Sequence, residues 1–102
     1  MPNLQIKKLA YGDLKRLRNF LASKDVAAAE RAIETILTYI NRLKKSPHLG
    51  SSYGRKYKRL LIPFGQSTYL AFYLFDAKAG IVHVVRITHG REHIDLAGNE
   101  EL

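Results

Sequence analysis

The sequence contains no cysteine among its 102 residues. Disulfide bonds and thiolate metal sites are therefore excluded. The chain also lacks an apolar run approaching the roughly 20 residues that a membrane-spanning helix requires. Charged residues within 1–13 occupy the place where the apolar segment of a signal peptide would lie. We therefore expect a cytoplasmic protein without a membrane partner.

Acidic residues are scarce, since 9 Asp and Glu face 17 Lys and Arg, for a net charge of +8. Residues 1–24 hold six of the cations and one acid, and residues 55–59 hold four cations in five positions. Such a surface steers a protein toward a polyanion or an acidic protein. A solvated face would use the same charges, so composition leaves both roles open.

The length predicts one domain spanning 1–102. No internal repeat, low-complexity tract or linker interrupts it. Residues 48–56 are the interior segment that resembles a flexible loop. The small and acidic residues 97–102 are expected to fray.

Three consecutive β-strands are predicted over 57–64, 68–75 and 81–88. The middle segment, TYLAFYLF, is almost wholly apolar and aromatic, as expected for a central strand. The connections at 64–67 and 76–80 are short enough for hairpins, so these strands should be antiparallel. A weaker strand is predicted over 3–8 at an edge of the sheet.

Two amphipathic helices are predicted between these strand regions, over 11–22 and 25–45. Apolar residues recur at helical spacing in both, and Ser46-Pro47 ends the second helix. Their tight connection predicts an antiparallel helical hairpin. The fold class is therefore α+β in the order β-α-α-β-β-β, with the hairpin packed on a small, mainly antiparallel sheet.

Several short motifs follow this order along the chain. They are Asp13-Leu14, the AAAERAIETI run, Leu43 with Ser46-Pro47 and Leu49-Gly50, Tyr57-Lys58-Arg59-Leu60, Tyr69-Leu70-Ala71-Phe72-Tyr73, and Arg86-Ile87-Thr88-His89-Gly90-Arg91. Over residues 3–95 the chain resembles the RelE/ParE superfamily of toxins from bacterial type II toxin–antitoxin systems. The resemblance depends on the order of the motifs and on the last motif.

The resemblance implies one of two targets. RelE-like toxins cleave messenger RNA in the ribosomal A site, and ParE-like toxins poison DNA gyrase. The nuclease branch places lysines at i and i+2 after the helices, arginines after the next strand's tyrosine and after the last strand, and an aromatic residue or histidine in the tail. Lys58 and Arg91 match this pattern, whereas Leu60, Leu70 and Ala97 do not.

The chain is therefore closer to the ParE branch, which implies a gyrase inhibitor that performs no chemistry of its own. A RelE-like ribosome-dependent mRNA endoribonuclease is the alternative, with Lys58, His89 and Arg91 as its candidate groups. A third possibility is an inactive relative that only binds an antitoxin. Neither a cofactor nor a metal is expected, because Gly90 lies between His89 and His93 and no third ligand is evident.

Two binding surfaces are predicted. The residues expected to contact the target, gyrase or alternatively the ribosome and mRNA, are Lys56, Lys58, Arg59, Arg86, His89 and Arg91. The resemblance also implies a cognate acidic antitoxin whose amphipathic segment folds on the toxin. The residues expected to bind it are Leu14, Lys15, Arg18 and Arg42.

Arg86 needs a separate prediction because it interrupts an otherwise apolar strand. A buried arginine requires a carboxylate or several carbonyls. We expect Arg86 to face the open, cationic side of the sheet with Lys58 or Arg59. The candidate carboxylates for a buried arginine are Asp13, Asp76 and Glu92.

Overall fold

A computed structural model describes residues 2–92. The elements are β1 (Asn3–Ile6), α1 (Lys8–Ala22), α2 (Val26–Asn41), a short 3₁₀ helix (Arg42–Lys44), β2 (Ser51–Tyr53), β3 (Tyr57–Phe64), β4 (Ser67–Asp76) and β5 (Ile81–His89). The predicted α+β class and the helical hairpin on a mainly antiparallel sheet are confirmed. The expectations for His93, for Ala97 and for a frayed tail at 97–102 lie outside the described residues.

The sheet has five strands in the order β1-β5-β4-β3-β2. The predicted meander of β3, β4 and β5 is antiparallel throughout. β1 pairs with β5 in parallel. Parallel neighbours need a long connection, and here it contains the helical hairpin and the strands β2 to β4. β2 was not predicted. Its three residues, in a polar segment read as a loop, pair with β3 across a turn at Gly54, where φ is +68°.

The helices differ from prediction mainly at their ends. α1 begins three residues before the predicted start, since the N–H of Tyr11 already donates to the carbonyl of Lys7, 3.0 Å away. α2 starts after Asp25, whose carboxylate accepts from the N–H of Ala28 at 3.1 Å. Its predicted last turn tightens into the 3₁₀ helix. None of the helices within residues 2–92 is long and apolar enough to cross a bilayer.

The main core lies between the helical hairpin and one face of the sheet. Tyr69 and Tyr73 on β4 are almost fully buried there, so these two aromatic side chains serve packing. A second, smaller cluster of Tyr57, Phe72 and Val85 lies on the opposite face. The alternation of neighbouring side chains between faces separates the two clusters.

A β-bulge shifts the register between β4 and β5. Phe72 pairs with Arg86 and Tyr73 pairs with Val84, so Val85 is the extra residue on β5. The bulge lies directly before Arg86, one of the residues predicted to contact a target. It also sets which of the later β5 residues face the helices.

Candidate functional site

The first half of α1 is joined to β5 by a buried carboxylate. Asp13 is 4% exposed and accepts hydrogen bonds from Nε and Nη2 of Arg86, at 2.8 and 2.9 Å, and from the backbone N–H of Ile87 at 2.9 Å. β1 pairs with β5 only as far as Val84, so Asp13 binds β5 beyond the end of that pairing. The hydrogen bonds to Asp13 are the main reason that the pKa of Arg86 is raised.

Arg86 was expected to face the open, cationic side of the sheet, and this expectation is wrong for its guanidinium, which pairs with the buried Asp13 of α1. Phe72 pairs with both Arg59 and Arg86, so the three residues share the sheet face away from the helices. The guanidinium nevertheless turns to Asp13, one of the three predicted carboxylates. Two of the five N–H donors of Arg86 are taken by Asp13, which limits what this residue can offer a target.

A tight turn at residues 89–92 follows β5. The N–H of Gly90 donates to the carbonyl of Thr68 at 2.7 Å, and Glu92 exchanges two bonds with the backbone of His89, at 2.7 and 2.9 Å. The N–H of Arg91 donates to Nδ1 of His89 at 3.2 Å. A Cβ on Gly90 would lie 2.8 Å from the oxygen of Thr68, so glycine allows this close approach. The turn presents the exposed Arg91 to solvent.

Arg16 ties this turn to α1. Its Nη1 lies 2.6 Å from Oε2 of Glu92, and its Nη2 lies 3.5 Å from Oδ1 of Asp13. Asp13, Arg16 and Glu92 therefore form a charged chain from the helix to the turn that carries His89 and Arg91. Arg16 was not among the residues predicted to contact a partner. Its i,i+3 spacing from Asp13 on a predicted helix was the pattern that indicates such an ion pair.

A cavity of about 490 Å³ lies between the second half of α1 and the turn, and we call it the α1–turn cavity. It is lined by Arg16, Leu17, Phe20, Leu21, Lys24, Ser67, Tyr69, His89 and Glu92. The rings of Tyr69 and His89 meet edge to face with centroids 5.4 Å apart. Burial, and secondarily the Glu92 carboxylate, raises the pKa of Tyr69, so its hydroxyl stays protonated.

The candidate nuclease groups do not converge. Lys58 pairs with Tyr73 and His89 pairs with Tyr69, so they lie four residues apart along β4 and on strands to either side of it. At about 3.4 Å per residue and about 4.8 Å per strand, their Cα atoms are roughly 17 Å apart. Within the candidate set, His89 and Arg91 are brought together, whereas Lys58 is not brought to them.

The remaining target candidates occupy other places. Arg59 lies on the opposite sheet face from Lys58, with its guanidinium 5.6 Å from the centre of the Tyr53 ring. Lys56, in the turn before β3, lies 5.6 Å from the Tyr57 ring centre. The predicted target surface is therefore divided among both faces of the sheet and the turn after β5.

The residues predicted to bind an antitoxin differ in exposure. Leu14 is buried in the main core, so it supports the hairpin rather than presenting a surface. Lys15 is exposed, Arg18 donates twice to Glu30 at 3.0 and 2.6 Å, and the Arg42 guanidinium lies 4.3 Å from the centre of the Tyr39 ring. The three cations leave a basic surface on the hairpin.

His83 is the other histidine of the strand region. It is partly buried. Burial lowers its pKa, and Lys7 lowers it further. In residues 2–92 no three His, Asp or Glu side chains cluster as ligands for a metal ion would.

Sequence comparison gives a family match over nearly the whole chain. Residues 4–94 match the family described as ParE toxin of type II toxin–antitoxin system, parDE. Toxin RelE1 of Caulobacter vibrioides is 36% identical over 80 residues, covering 78% of this chain and 84% of that protein. Toxin RelE3 of the same organism is 30% identical over 92 residues, covering 90% and 98%.

Solved structures show the same fold at low identity. The P. aeruginosa chromosomal ParDE system contains a chain with a TM-score of 0.73 and 17% identity, covering 87% of this chain and 96% of that one. The E. coli RelBE toxin–antitoxin complex gives a TM-score of 0.65 and 13% identity, covering 90% and 100%. With the family match, these findings establish that the chain belongs to the ParE toxins of type II toxin–antitoxin systems, within the RelE/ParE superfamily.

Proposed function

We propose that this toxin inhibits DNA gyrase and is neutralised by a cognate acidic antitoxin in the cytoplasm. The observation that carries the proposal is the dispersal of the nuclease groups, with Lys58 roughly 17 Å from His89. Cleavage of RNA through its 2′-hydroxyl requires cations and a proton acceptor around one phosphate. The wide separation of these two backbone positions favours a binding role over catalysis for this surface.

Leu70 supports the same conclusion. It stands where the nuclease branch has an arginine, and it pairs with Leu61 on β3 and with Thr88 on β5. Leu61 is 54% exposed. Leu61 and the half-buried Leu70 provide apolar surface where a phosphate would need a cation, and apolar surface is what the centre of a protein interface uses.

We assign the contact with gyrase to the predicted target set. Arg91 at the tip of the turn and Arg59 beside Tyr53 are the strongest members of the target set. Lys56, Lys58 and His89 would contribute at its margin, and Arg86 through the N–H donors that Asp13 does not accept. The antitoxin would use the hairpin surface of Lys15, Arg18 and Arg42.

The competing proposal is a ribosome-dependent mRNA endoribonuclease. Both Caulobacter relatives carry the name RelE, which is the observation in its favour. Lys58, His89 and Arg91 would then be its catalytic groups, although the fold separates the first of them from the other two.

Two assays run in parallel test the choice. Purified toxin is added to a DNA gyrase supercoiling reaction and to a reconstituted translation reaction with labelled mRNA. We expect supercoiling to be inhibited and the mRNA to stay intact. Arg91→Ala should weaken the inhibition about tenfold, as expected for an interface hot spot, whereas Lys78→Ala in the β4–β5 turn should not.

Cleavage of mRNA that is lost in Lys58→Ala would overturn the gyrase proposal. Unimpeded growth during induced expression, together with antitoxin binding, would identify an inactive relative.

A further inference from the structure

The α1–turn cavity contains hydrogen-bond donors that the fold does not use. His89 accepts from Arg91 at Nδ1, so its neutral ring carries the proton on Nε2 and can donate there. Tyr69, whose hydroxyl stays protonated, also lines the cavity. The ammonium of Lys24 lies 4.7 Å from the centre of the Phe20 ring, and no carboxylate of residues 2–92 pairs with it.

The acid in the cavity does not satisfy these donors. One oxygen of Glu92 accepts from the backbone of His89 and the other accepts from Arg16. Its charge is thus matched by Arg16, which leaves Lys24 as the uncompensated charge. The cavity is therefore suited to an additional carboxylate that pairs with Lys24, in a lining that also contains Tyr69 and His89.

The other wall is apolar. Leu17 and Leu21 close the cavity on the helix side, and Phe20 is 60% exposed at its mouth. An exposed phenylalanine next to a half-open cavity is a typical anchor point for a partner's apolar side chain. The occupant should carry an acidic and an apolar residue within one helical turn of each other.

We propose that the α1–turn cavity is an anchor site for the cognate antitoxin, which inserts an acidic and an apolar side chain from an amphipathic segment. The inference rests on the proposed neutralisation by an acidic antitoxin and assigns a second contact beyond the hairpin surface. It also provides a means of control, because a segment seated here covers His89 and lies beside Arg91.

A nucleic acid is the less suitable occupant. A phosphate backbone presents a charge at every nucleotide and binds best along a row of unpaired cations. Here Arg16 is already paired, so Lys24 alone does not form such a row. The leucine wall offers a sugar–phosphate chain no partner.

The experiment measures binding of the full toxin to the antitoxin from the adjacent reading frame by titration calorimetry. Lys24→Glu should weaken binding at least tenfold. Lys78→Glu changes the net charge by the same amount in the β4–β5 turn, at the opposite end of β4, and should change binding less than twofold. Lys24→Arg should retain the wild-type affinity.

Two further variants test the cavity without changing charge. Phe20→Ala removes the apolar anchor, and Tyr69→Phe removes only the hydroxyl; each should weaken antitoxin binding several-fold with an unchanged circular dichroism spectrum.

If the wild-type toxin binds no such antitoxin, the proposed neutralisation fails. If it binds and the cavity variants all match Lys78→Glu, this inference is overturned while neutralisation stands. Weaker binding of a single-stranded RNA oligonucleotide by Lys24→Glu, with antitoxin affinity retained, would also overturn it.

Discussion

Asp13 shows how one side chain organises the site. Its carboxylate is almost inaccessible to water and accepts three hydrogen bonds from β5, two from the Arg86 side chain and one from the Ile87 backbone. The partners are 73 and 74 residues away in sequence. The same carboxylate lies close to Arg16, so it links the core to the turn that carries Arg91.

Replacing Asp13 should be severely destabilising. Asp13→Ala leaves the partly buried Arg86 charge and the Ile87 N–H without their acceptor, and breaking such a pair costs about 3–5 kcal/mol of unfolding free energy. Urea unfolding followed by circular dichroism measures the loss. Arg18→Ala is the matched control, because it breaks an exposed pair with Glu30 and should cost less than about 1 kcal/mol. If the two variants lose the same unfolding free energy, water takes the place of Asp13 as the acceptor for Arg86 and Ile87, and the prediction is wrong.

At the scale of elements, the turn after β5 and the helix α1 act as one unit. The turn is held against β4 by the bond from Gly90 to Thr68 and against α1 by the ion pair of Arg16 with Glu92. Arg91 is thus held on a rigid support, which reduces the entropy lost when it binds. This unit contains Gly12, which has room for a side chain, and Gly90, which does not.

Alanine at these two glycines should have opposite effects on stability. A Cβ on Gly12, which is exposed in α1, meets no atom within 4 Å, so Gly12→Ala should stabilise the protein by about 1 kcal/mol. A Cβ on Gly90 would lie 2.8 Å from the backbone oxygen of Thr68, so Gly90→Ala should cost about 1–3 kcal/mol and shift the turn. Thermal unfolding of both variants measures the difference. Two melting temperatures that move in the same direction would contradict this account of the turn.

At the scale of the molecule, charge is the dominant property. The net charge of +8 is concentrated before residue 25 and around residues 55–59, which puts many of the cations on α1 and around the start of β3. Most of these cations lie at the surface, where salt screens them. Long-range attraction should therefore contribute more to how fast an acidic partner arrives than to how long it stays.

The association rate of toxin and antitoxin should fall steeply with salt. Raising NaCl from about 50 to about 300 mM should slow association at least about tenfold and change dissociation much less. Stopped-flow fluorescence at several salt concentrations measures both rates. Sucrose at matched osmolality serves as the control. A salt-independent association rate would show that the basic surface does not steer the partner.

Local patterns in the sequence were sufficient for the fold class. The helical spacing of apolar residues in α2 and the apolar run of β4 follow from backbone geometry within a few residues, and both were found as predicted. The sequence motifs also led to the RelE/ParE superfamily. They identified Arg91 and His89 correctly as neighbours at the end of the last strand.

Only the tertiary structure decided which distant residues meet. Sheet order and register place Lys58 far from His89, and they direct Arg86 to Asp13. The strand β2 exists because β3 lies beside it, and the α1–turn cavity exists because the turn packs against α1. Such contacts depend on which helices and strands pack against one another. A periodicity of two or 3.6 residues shows only which face of its own element a residue lies on, so it does not identify the neighbouring element.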